Sequence, residues 1–337
     1  NKNGRCIIMT TYKALKGKKI KFLASDPPGA AGEGQVWYNG VDFKTTSRLL
    51  AWGAGGNLNT ARGIFSGAGN TTAGLVMGGS NAPKQQTEEY NGTTWSEQND
   101  MGTARYYFGS AGTQTAALAY GGEAEPIVNT EKYDGTSWTE VNNLNTARWG
   151  ITGTGVQTAV IAAGGSAPPS APARTALSEE FDGTSWSEGN NMNTSRGQFG
   201  AVGTQTAALM FGGITSPNPT AARSIVHSEE YNGTSYSEGN NLPVGKEGMG
   251  SAGIQTAALG FGGYIHSPAS NVATTEEYDG TSWAAVPGAT LTTARSGAAS
   301  GNQGSTDTSA FIVGGGNTVA SMETFEYNPI VKTITDS

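Results

Sequence analysis

The sequence predicts an all-β protein, a six-bladed β-propeller with four antiparallel strands in each blade. Three observations indicate this fold: a short motif that recurs along the chain, glycine-bounded apolar runs between its copies, and frequent turn signals. Repeats of about 40–50 residues are typical of propellers, in which each repeat forms one blade.

The recurring motif is an aromatic residue, Asn or Asp, Gly, Thr, Ser or Thr, and a second aromatic residue. Asn-Gly or Asp-Gly between short strands favours a β-hairpin with a type I′ turn, in which both central residues have positive φ. We therefore predict that the motif joins the third and fourth strands of each blade. Its copies lie at Tyr90–Trp95, Tyr133–Trp138, Phe181–Trp186, Tyr231–Tyr236 and Tyr278–Trp283.

The first two strands of each blade lie between a basic residue and a double glycine. The apolar run before the double glycine is short, which suits a strand that is buried on both faces. We interpret the basic residues as partners of loop carbonyls or as the lining of the channel, and the Glu-Glu pairs before the Tyr as protection against edge-to-edge pairing. The basic residues are Arg62, Arg105, Arg148, Arg196, Lys246 and Arg295.

The double glycine and the paired Tyr and Trp resemble the kelch-repeat family over roughly residues 48–328, although the classical kelch motif has a longer stretch between Tyr and Trp. This Ala-, Gly- and Thr-rich variant resembles repeats in virion proteins of marine bacteriophages, and the segment 25–39 resembles an N-terminal segment of the same proteins. The resemblance implies a non-enzymatic virion protein: a tail-fibre, tail-tip or head-decoration subunit. Its propeller would bind a host-surface glycan or protein.

The spacing of aromatic and basic residues predicts how the ring closes. Trp95 precedes Arg105 by ten residues, and Trp52 precedes Arg62 by the same distance. We therefore predict that residues 48–58 supply the fourth strand of the last blade and that Trp52 closes the ring. The alternative is that Pro329–Ile334 forms this strand.

The predicted domains are an N-terminal attachment segment, 1–47, and the propeller, 48–337. The attachment segment contains a hairpin that carries Trp37, Tyr38 and Phe43. The predicted blades are approximately residues 60–100, 101–143, 144–191, 192–241, 242–290, and 291–328 completed by 48–58.

Composition excludes several classes of function. The net charge is −7 and no basic patch covers the main domain, so we expect no nucleic-acid partner. No apolar run approaches the ~20 residues of a membrane helix and no segment resembles a signal peptide, so we expect no membrane insertion. The resemblance to phage proteins implies a virion protein that is assembled in the host cytoplasm. One cysteine and two histidines predict no metal site, and we expect no cofactor and no catalytic residue.

The loops after the double glycines vary most in length, and binding residues concentrate on variable loops of a repeated scaffold. The predicted partners are other virion proteins, through residues 1–47, and a host-surface glycan or protein; a homo-oligomer is a further option. Two alternatives stay open: a bacterial extracellular or cell-surface propeller for adhesion or protein interaction, and a polysaccharide-acting enzyme, which is less favoured. The loop residues predicted to bind are Tyr264, Ile265, His266, His227, Arg223 and Pro217.

Overall fold

The structure, a computed structural model, consists of β-strands joined by turns. No helix long and apolar enough to cross a membrane occurs in the part of the chain that it describes. By contacts the chain divides into two units, Asn1–Leu50 with Tyr327–Ser337, and Ala51–Glu326. The described residues are 20–22, 36–38, 43–80, 84–122, 127–167, 173–215, 224–301, 309–315 and 322–333.

The first unit contains strands β1 (Ile20–Phe22) and β2 (Val36–Tyr38) and the first part of β3 (Phe43–Ala54). Strands β1 and β2 are parallel, whereas β2 pairs antiparallel with β3, with Tyr38 opposite Phe43. The antiparallel pair corresponds to the hairpin expected around residues 36–43. A role of Trp37, Tyr38 and Phe43 in attachment stays a prediction.

The second unit contains five four-stranded antiparallel sheets, blades 1 to 5. In each blade the second strand lies between the first and the third, and its side chains are almost completely buried, as the sequence predicts. Blade 1 comprises β4 (Ser66–Gly69), β5 (Gly74–Met77), β6 (Thr87–Tyr90) and β7 (Trp95–Gln98). Blade 2 comprises β8 (Gly109–Thr113), β9 (Ala116–Tyr120), β10 (Thr130–Tyr133) and β11 (Trp138–Val141). Blade 3 comprises β12 (Thr152–Val156), β13 (Ala159–Ala163), β14 (Ser178–Phe181) and β15 (Trp186–Glu188).

Blades 4 and 5 follow the same order, and blade 5 carries an additional two-stranded hairpin. Blade 4 comprises β16 (Gly200–Thr204), β17 (Ala207–Phe211), β18 (Ser228–Tyr231) and β19 (Tyr236–Gly239). Blade 5 comprises β20 (Gly250–Ile254), β21 (Ala257–Phe261), β24 (Thr275–Tyr278) and β25 (Trp283–Ala285), with the hairpin β22 (Tyr264–His266) and β23 (Ala269–Asn271) inserted after β21.

The predicted count of six four-stranded blades needs a correction, because only five sheets formed by the described strands have this form. The last repeat contributes β26 (Ala299–Gly301), β27 (Ser309–Val313) and β28 (Met322–Thr333) to a six-stranded sheet of order β1-β2-β3-β28-β27-β26. The sheet has six strands because β1 and β2 add to the four strands β3, β28, β27 and β26.

The alternative in which Pro329–Ile334 forms a separate fourth strand is wrong within the described residues. Strand β28 runs without interruption from Met322 through Pro329 to Thr333, and its neighbour opposite β27 is β3.

The predicted type I′ turn is also wrong. Tyr133 pairs with Trp138, so the loop contains four residues, and of these only Gly135 has positive φ. The side chain of Asp134 closes the loop instead, because its Oδ1 accepts the amides of Thr136 and Ser137 at 2.9 and 2.8 Å.

Neighbouring blades are joined by three contacts that recur around the propeller. The amide of Gln114 in blade 2 donates to the Gly74 and Tyr90 carbonyls of blade 1. The Tyr133 hydroxyl donates to Glu89 Oε1 at 3.0 Å, and the Trp138 indole donates to Thr87 Oγ1 at 3.0 Å. The repeated Gln, Tyr and Trp are therefore explained by folding.

At the junction between blades 2 and 3, both residues of the hydroxyl–carboxylate contact are replaced. In blade 2 the residue corresponding to Glu89 is Lys132, and in blade 3 the residue corresponding to Tyr133 is Phe181. The ammonium of Lys132 lies 5.3 Å from the centroid of the Phe181 ring and donates to the Gly183 carbonyl. A cation and an aromatic ring thus replace a carboxylate and a phenol, and both side chains of this junction have a partner.

The contacts of Trp52 are those of a fourth-strand tryptophan. Its indole donates to Thr275 Oγ1 at 2.8 Å, and its ring meets Phe261 edge-to-face at 4.7 Å, both in blade 5. Trp186 makes the equivalent contacts with Thr130 and Tyr120.

We predict that Trp52→Ala lowers the free energy of unfolding by ~3–5 kcal/mol, because both the indole and its hydrogen bond are lost from a buried site. Trp186→Ala is the matched control, since the two side chains are 8% and 6% exposed. Thermal and urea unfolding of both variants measure the effect. A loss at Trp52 much smaller than at Trp186 would contradict its assignment to the ring.

For the exchanged junction we predict that Lys132→Glu and Phe181→Tyr each destabilise the protein, whereas the double variant recovers stability. The reason is that the pair then recreates the bond that Tyr133 makes with Glu89. A double-mutant cycle by urea unfolding should give a favourable coupling of ~0.5–3 kcal/mol. Additive effects of the two substitutions would show that the exchange has no energetic basis.

We also predict that the aspartates of the hairpin loops contribute to the acid sensitivity of the fold. Bonds from the backbone amides of Ser137 and Thr136 lower the pKa of Asp134, and equivalent amides lower the pKa of Asp182 and Asp279. A lowered folded-state pKa means that the stabilisation is present above the unfolded pKa, about 4, and is lost as the pH falls through the folded value.

Asn91 shows that asparagine is a matched replacement. Its Oδ1 accepts the equivalent amides of Thr93 and Thr94 at 2.9 Å, and its side chain does not titrate. In the triple variant Asp134→Asn, Asp182→Asn and Asp279→Asn the difference in Tm between neutral and strongly acidic buffer should be smaller than in the wild type. An equal difference in Tm would show that these carboxylates do not contribute to acid unfolding.

Candidate functional site

Each of the five blades holds a buried ion pair between the basic residue before its first strand and a glutamate of its third strand. In blade 2, Arg105 Nη2 lies 2.5 Å from Glu131 Oε1, and Arg105 Nη1 donates to the carbonyls of Gly121 and Asn129. The Glu131 carboxylate also accepts the amide of Gly102 at 2.7 Å. Burial lowers the pKa of Arg105 while Glu131 raises it, and the two charges neutralise each other. The pairs are Arg62–Glu88, Arg105–Glu131, Arg148–Glu179, Arg196–Glu229 and Lys246–Glu276.

These ion pairs test the roles that the sequence predicts for the repeated basic residues and for the repeated glutamates. The arginines do bond loop carbonyls, as predicted, but the idea that they line the channel is wrong. The idea that both glutamates of each pair protect a strand edge is also wrong. The first glutamate is buried against the arginine, and the second, as at Glu89, accepts the tyrosine of the next blade.

A channel runs between the first strands, and a cavity of about 130 Å³ lies within it. Its lining is formed by glycine, small hydroxyl residues such as Ser66 and Ser110, apolar side chains, and Tyr107 and Gln198, with no charged residue among them. The channel therefore offers mainly hydroxyl groups and little space, and Ile64, Tyr107 and Gln198 line it at its mouth, where the first strands begin.

A closed circle of backbone hydrogen bonds surrounds the channel where the first strands begin. Six residues, one before each first strand, each donate an N–H to the carbonyl of the next residue around the circle at 2.7–3.4 Å. All six have φ between 53° and 62°, in the left-handed region. They are Ile64, Tyr107, Gly150, Gln198, Gly248 and Gly297.

Three members of this circle are not glycine, although the left-handed conformation favours glycine. Ile64, Tyr107 and Gln198 have φ of 58°, 53° and 56°. A bulky residue in this region costs about 1–2 kcal/mol, and such strain is typical of functional sites. The three side chains are partly exposed, so burial in the core does not explain why they are retained.

A row of aromatic and cationic side chains contains the strained Tyr107 and ends next to the strained Gln198. Ring centroids are separated by 5.7 Å between Tyr106 and Tyr107 and by 5.6 Å between Tyr107 and Trp149. Cations close both ends of the row: Lys84 Nζ lies 4.7 Å from the Tyr106 ring, and the guanidinium of Arg174 lies 4.8 Å from the Trp149 ring. We name Lys84, Tyr106, Tyr107, Trp149 and Arg174 the aromatic row.

An acidic residue lies across the mouth from the aromatic row, in blade 5. Glu247 pairs through its backbone with Tyr264, the first residue of the inserted hairpin, and its Oε1 lies 2.8 Å from His266 Nε2. The rings of Tyr264 and His266 meet edge-to-face at 4.9 Å. The mouth therefore has an aromatic, cationic side and an acidic side.

The structure brings together three of the six loop residues predicted to bind. Tyr264, Ile265 and His266 form β22 near the mouth, while the exposed His227 lies away from them, just before β18. Its carbonyl accepts the buried Arg196. Arg223 and Pro217 lie outside the described residues.

The residues of the aromatic row and Gln198 were missed from the sequence. A signal was present, because the two residues that follow the basic residue differ in every repeat, as in Tyr106-Tyr107 and Trp149-Gly150. Among the residues whose side chains the structure describes, no group of three or more His, Cys, Asp or Glu could hold a metal ion.

Comparison with known proteins identifies the architecture. A solved structure of the propeller protein YjhT matches with a TM-score of 0.64 at 12% sequence identity, and the match covers 83% of this chain and 97% of YjhT. The fold is a β-propeller. At this identity the likeness extends to the fold alone. No family model matches the chain, and no curated protein matches its sequence.

Proposed function

We propose that this chain is a non-enzymatic binding protein of a phage virion, and that its propeller presents the channel mouth to a host-surface glycan or protein. The observation that carries the binding role is the retained strain at Tyr107, Gln198 and Ile64. Glycine occupies the other three positions of the circle, so these side chains are kept at an energetic cost.

The chemistry of the mouth supports a binding role over a catalytic one. Tyrosine and tryptophan supply rigid contact area with a polar edge, and Arg174 and Gln198 supply hydrogen-bond donors. At the mouth, the Glu247–His266 pair meets Tyr264 through a contact between the two rings, and no described hydrogen bond links the Tyr264 hydroxyl to the imidazole.

The virion assignment is supported by the resemblance of the Asp-Gly-Thr-Ser-Trp repeats to kelch-like repeats of marine phage virion proteins. We also propose that the six-stranded sheet acts as a sixth blade. Its strand β26 contacts both β20 and β4, and Gly297 takes its place in the circle of hydrogen bonds between Gly248 and Ile64.

We predict that Tyr107→Gly and Gln198→Gly abolish binding while Tm stays constant or rises. Glycine adopts positive φ without steric strain, so the fold gains from the change what the site loses. Binding is measured on a glycan array and on host cells, and unfolding by calorimetry.

The matched control is Val156→Thr, because Val156 is 53% exposed at the far end of the first strand of blade 3. Full binding by both glycine variants would contradict a site at the channel mouth. Mass spectrometry of purified virions tests the second part of the proposal, since absence of the protein there would remove the virion role.

A further inference from the structure

We propose that the channel mouth binds a linear polysaccharide that carries carboxylate groups, with Arg174 as the residue that contacts a carboxylate. The inference rests on the proposed binding function and names its ligand class. It is carried by the geometry of the aromatic row and by the distribution of cations in the chain.

The first observation is how Arg174 is held. Its Nη1 donates to Ser166 Oγ at 2.8 Å, its backbone forms a β-bridge with Ser166, and its guanidinium lies over Trp149. A Cβ on Gly197 would lie only 3.2 Å from Arg174 Cδ, so a residue without a side chain makes room for the arginine beside the circle. The guanidinium is thus positioned before any ligand binds, which reduces the entropy lost on binding.

The second observation is how the cationic side chains of the described blades are distributed. The chain has a net charge of −7. Of the cationic side chains whose surroundings the structure describes, those before the first strands are buried inside the blades, and Lys132 covers Phe181. Lys84 and Arg174 lie partly exposed at the ends of the aromatic row, whereas the partly exposed Lys132 lies at the junction of blades 2 and 3.

The third observation is the geometry between the two cations. Tyr106, Tyr107 and Trp149 pack against one another with ring centroids 5.6–5.7 Å apart, an ordinary distance for packed aromatic rings, and together they form one aromatic surface. Aromatic rings bind the apolar faces of sugar rings, and an arginine fork matches a carboxylate in a bidentate manner. Rings between two cations therefore fit an extended chain of acidic sugars better than a single small anion.

The acidic side of the mouth restricts where such a chain can lie. Glu247 would repel a carboxylate, so the ligand should lie away from blade 5, over the aromatic row of blades 1 to 3 and the adjoining start of blade 4. Gln198 follows Gly150 in the circle. The Gln198 amide and the Arg174 guanidinium both approach the side of Gly150 where a Cβ would lie. The amide is placed to bond sugar hydroxyl groups next to the carboxylate.

The test uses oligogalacturonate and its fully methyl-esterified form, which share one sugar backbone and differ in charge. Calorimetric titration of the full chain should show binding of the acid form that weakens as salt is added, and at least about tenfold weaker binding of the ester. Arg174→Gln should weaken binding of the acid form by about tenfold and leave the ester unaffected. Arg174→Lys should give an intermediate loss, because it keeps the charge without the fork.

Equal binding of acid and ester, unchanged binding by Arg174→Gln, or no binding of the acid form would each overturn the inference. An unchanged Tm in Arg174→Gln, compared with Val156→Thr, separates a lost contact from a lost fold. If a neutral glycan binds and Tyr107→Gly abolishes that binding, the carboxylate inference fails while the binding role of the mouth stands. If Tyr107→Gly leaves all binding intact, the proposed function itself fails.

Discussion

The ion pair buried in each of blades 1 to 5 is the interaction on which the rest of the architecture depends. A single guanidinium, such as that of Arg105, connects the loop before the first strand, the end of the second strand and the start of the third. Breaking such a pair by removing one partner costs about 3–5 kcal/mol, because a charge is then left buried without its partner. The comparison of Lys246 with Arg196 shows what the guanidinium contributes. The Lys246 ammonium donates to Glu276 and to the Thr274 hydroxyl. Arg196 donates in addition to two backbone carbonyls, those of Gly212 and His227.

Much of this fold could be predicted from the sequence because its signals are local and repeated. Double glycines, short apolar runs and the aromatic motif place the strands, and the ten-residue spacing identifies Trp52. The ion pairs could not be derived in the same way, since Arg62 and Glu88 are 26 residues apart and Arg196 and Glu229 are 33 apart. Local periodicity does not show that such distant charges meet.

The mouth was predicted less well than the blades, for a physical reason. Positive φ is rare outside glycine, so Tyr107 and Gln198 were assigned to ordinary first strands. The sequence also shows Lys132 in place of the repeated Glu and Phe181 in place of the repeated Tyr. That the two replacements belong together is shown only by the contact of Lys132 with Phe181 between blades 2 and 3. The last sheet differed because β1 and β2, which lie before the repeats, add to it, and no repeat specifies those strands. Repetition thus predicts the scaffold, and residues that depart from it remain undefined until their neighbours are known.

The circle of six peptide groups around the channel also determines the electric field there. In an α-helix the peptide dipoles align along one axis and add up to a field at each end. Here each N–H points to the next carbonyl around a closed loop, so the dipole components directed along the loop cancel in sum. Along the loop the backbone therefore favours neither sign of charge. The polarity of the opening is left to its side chains, and a change of one or two of them can redirect what the same frame attracts.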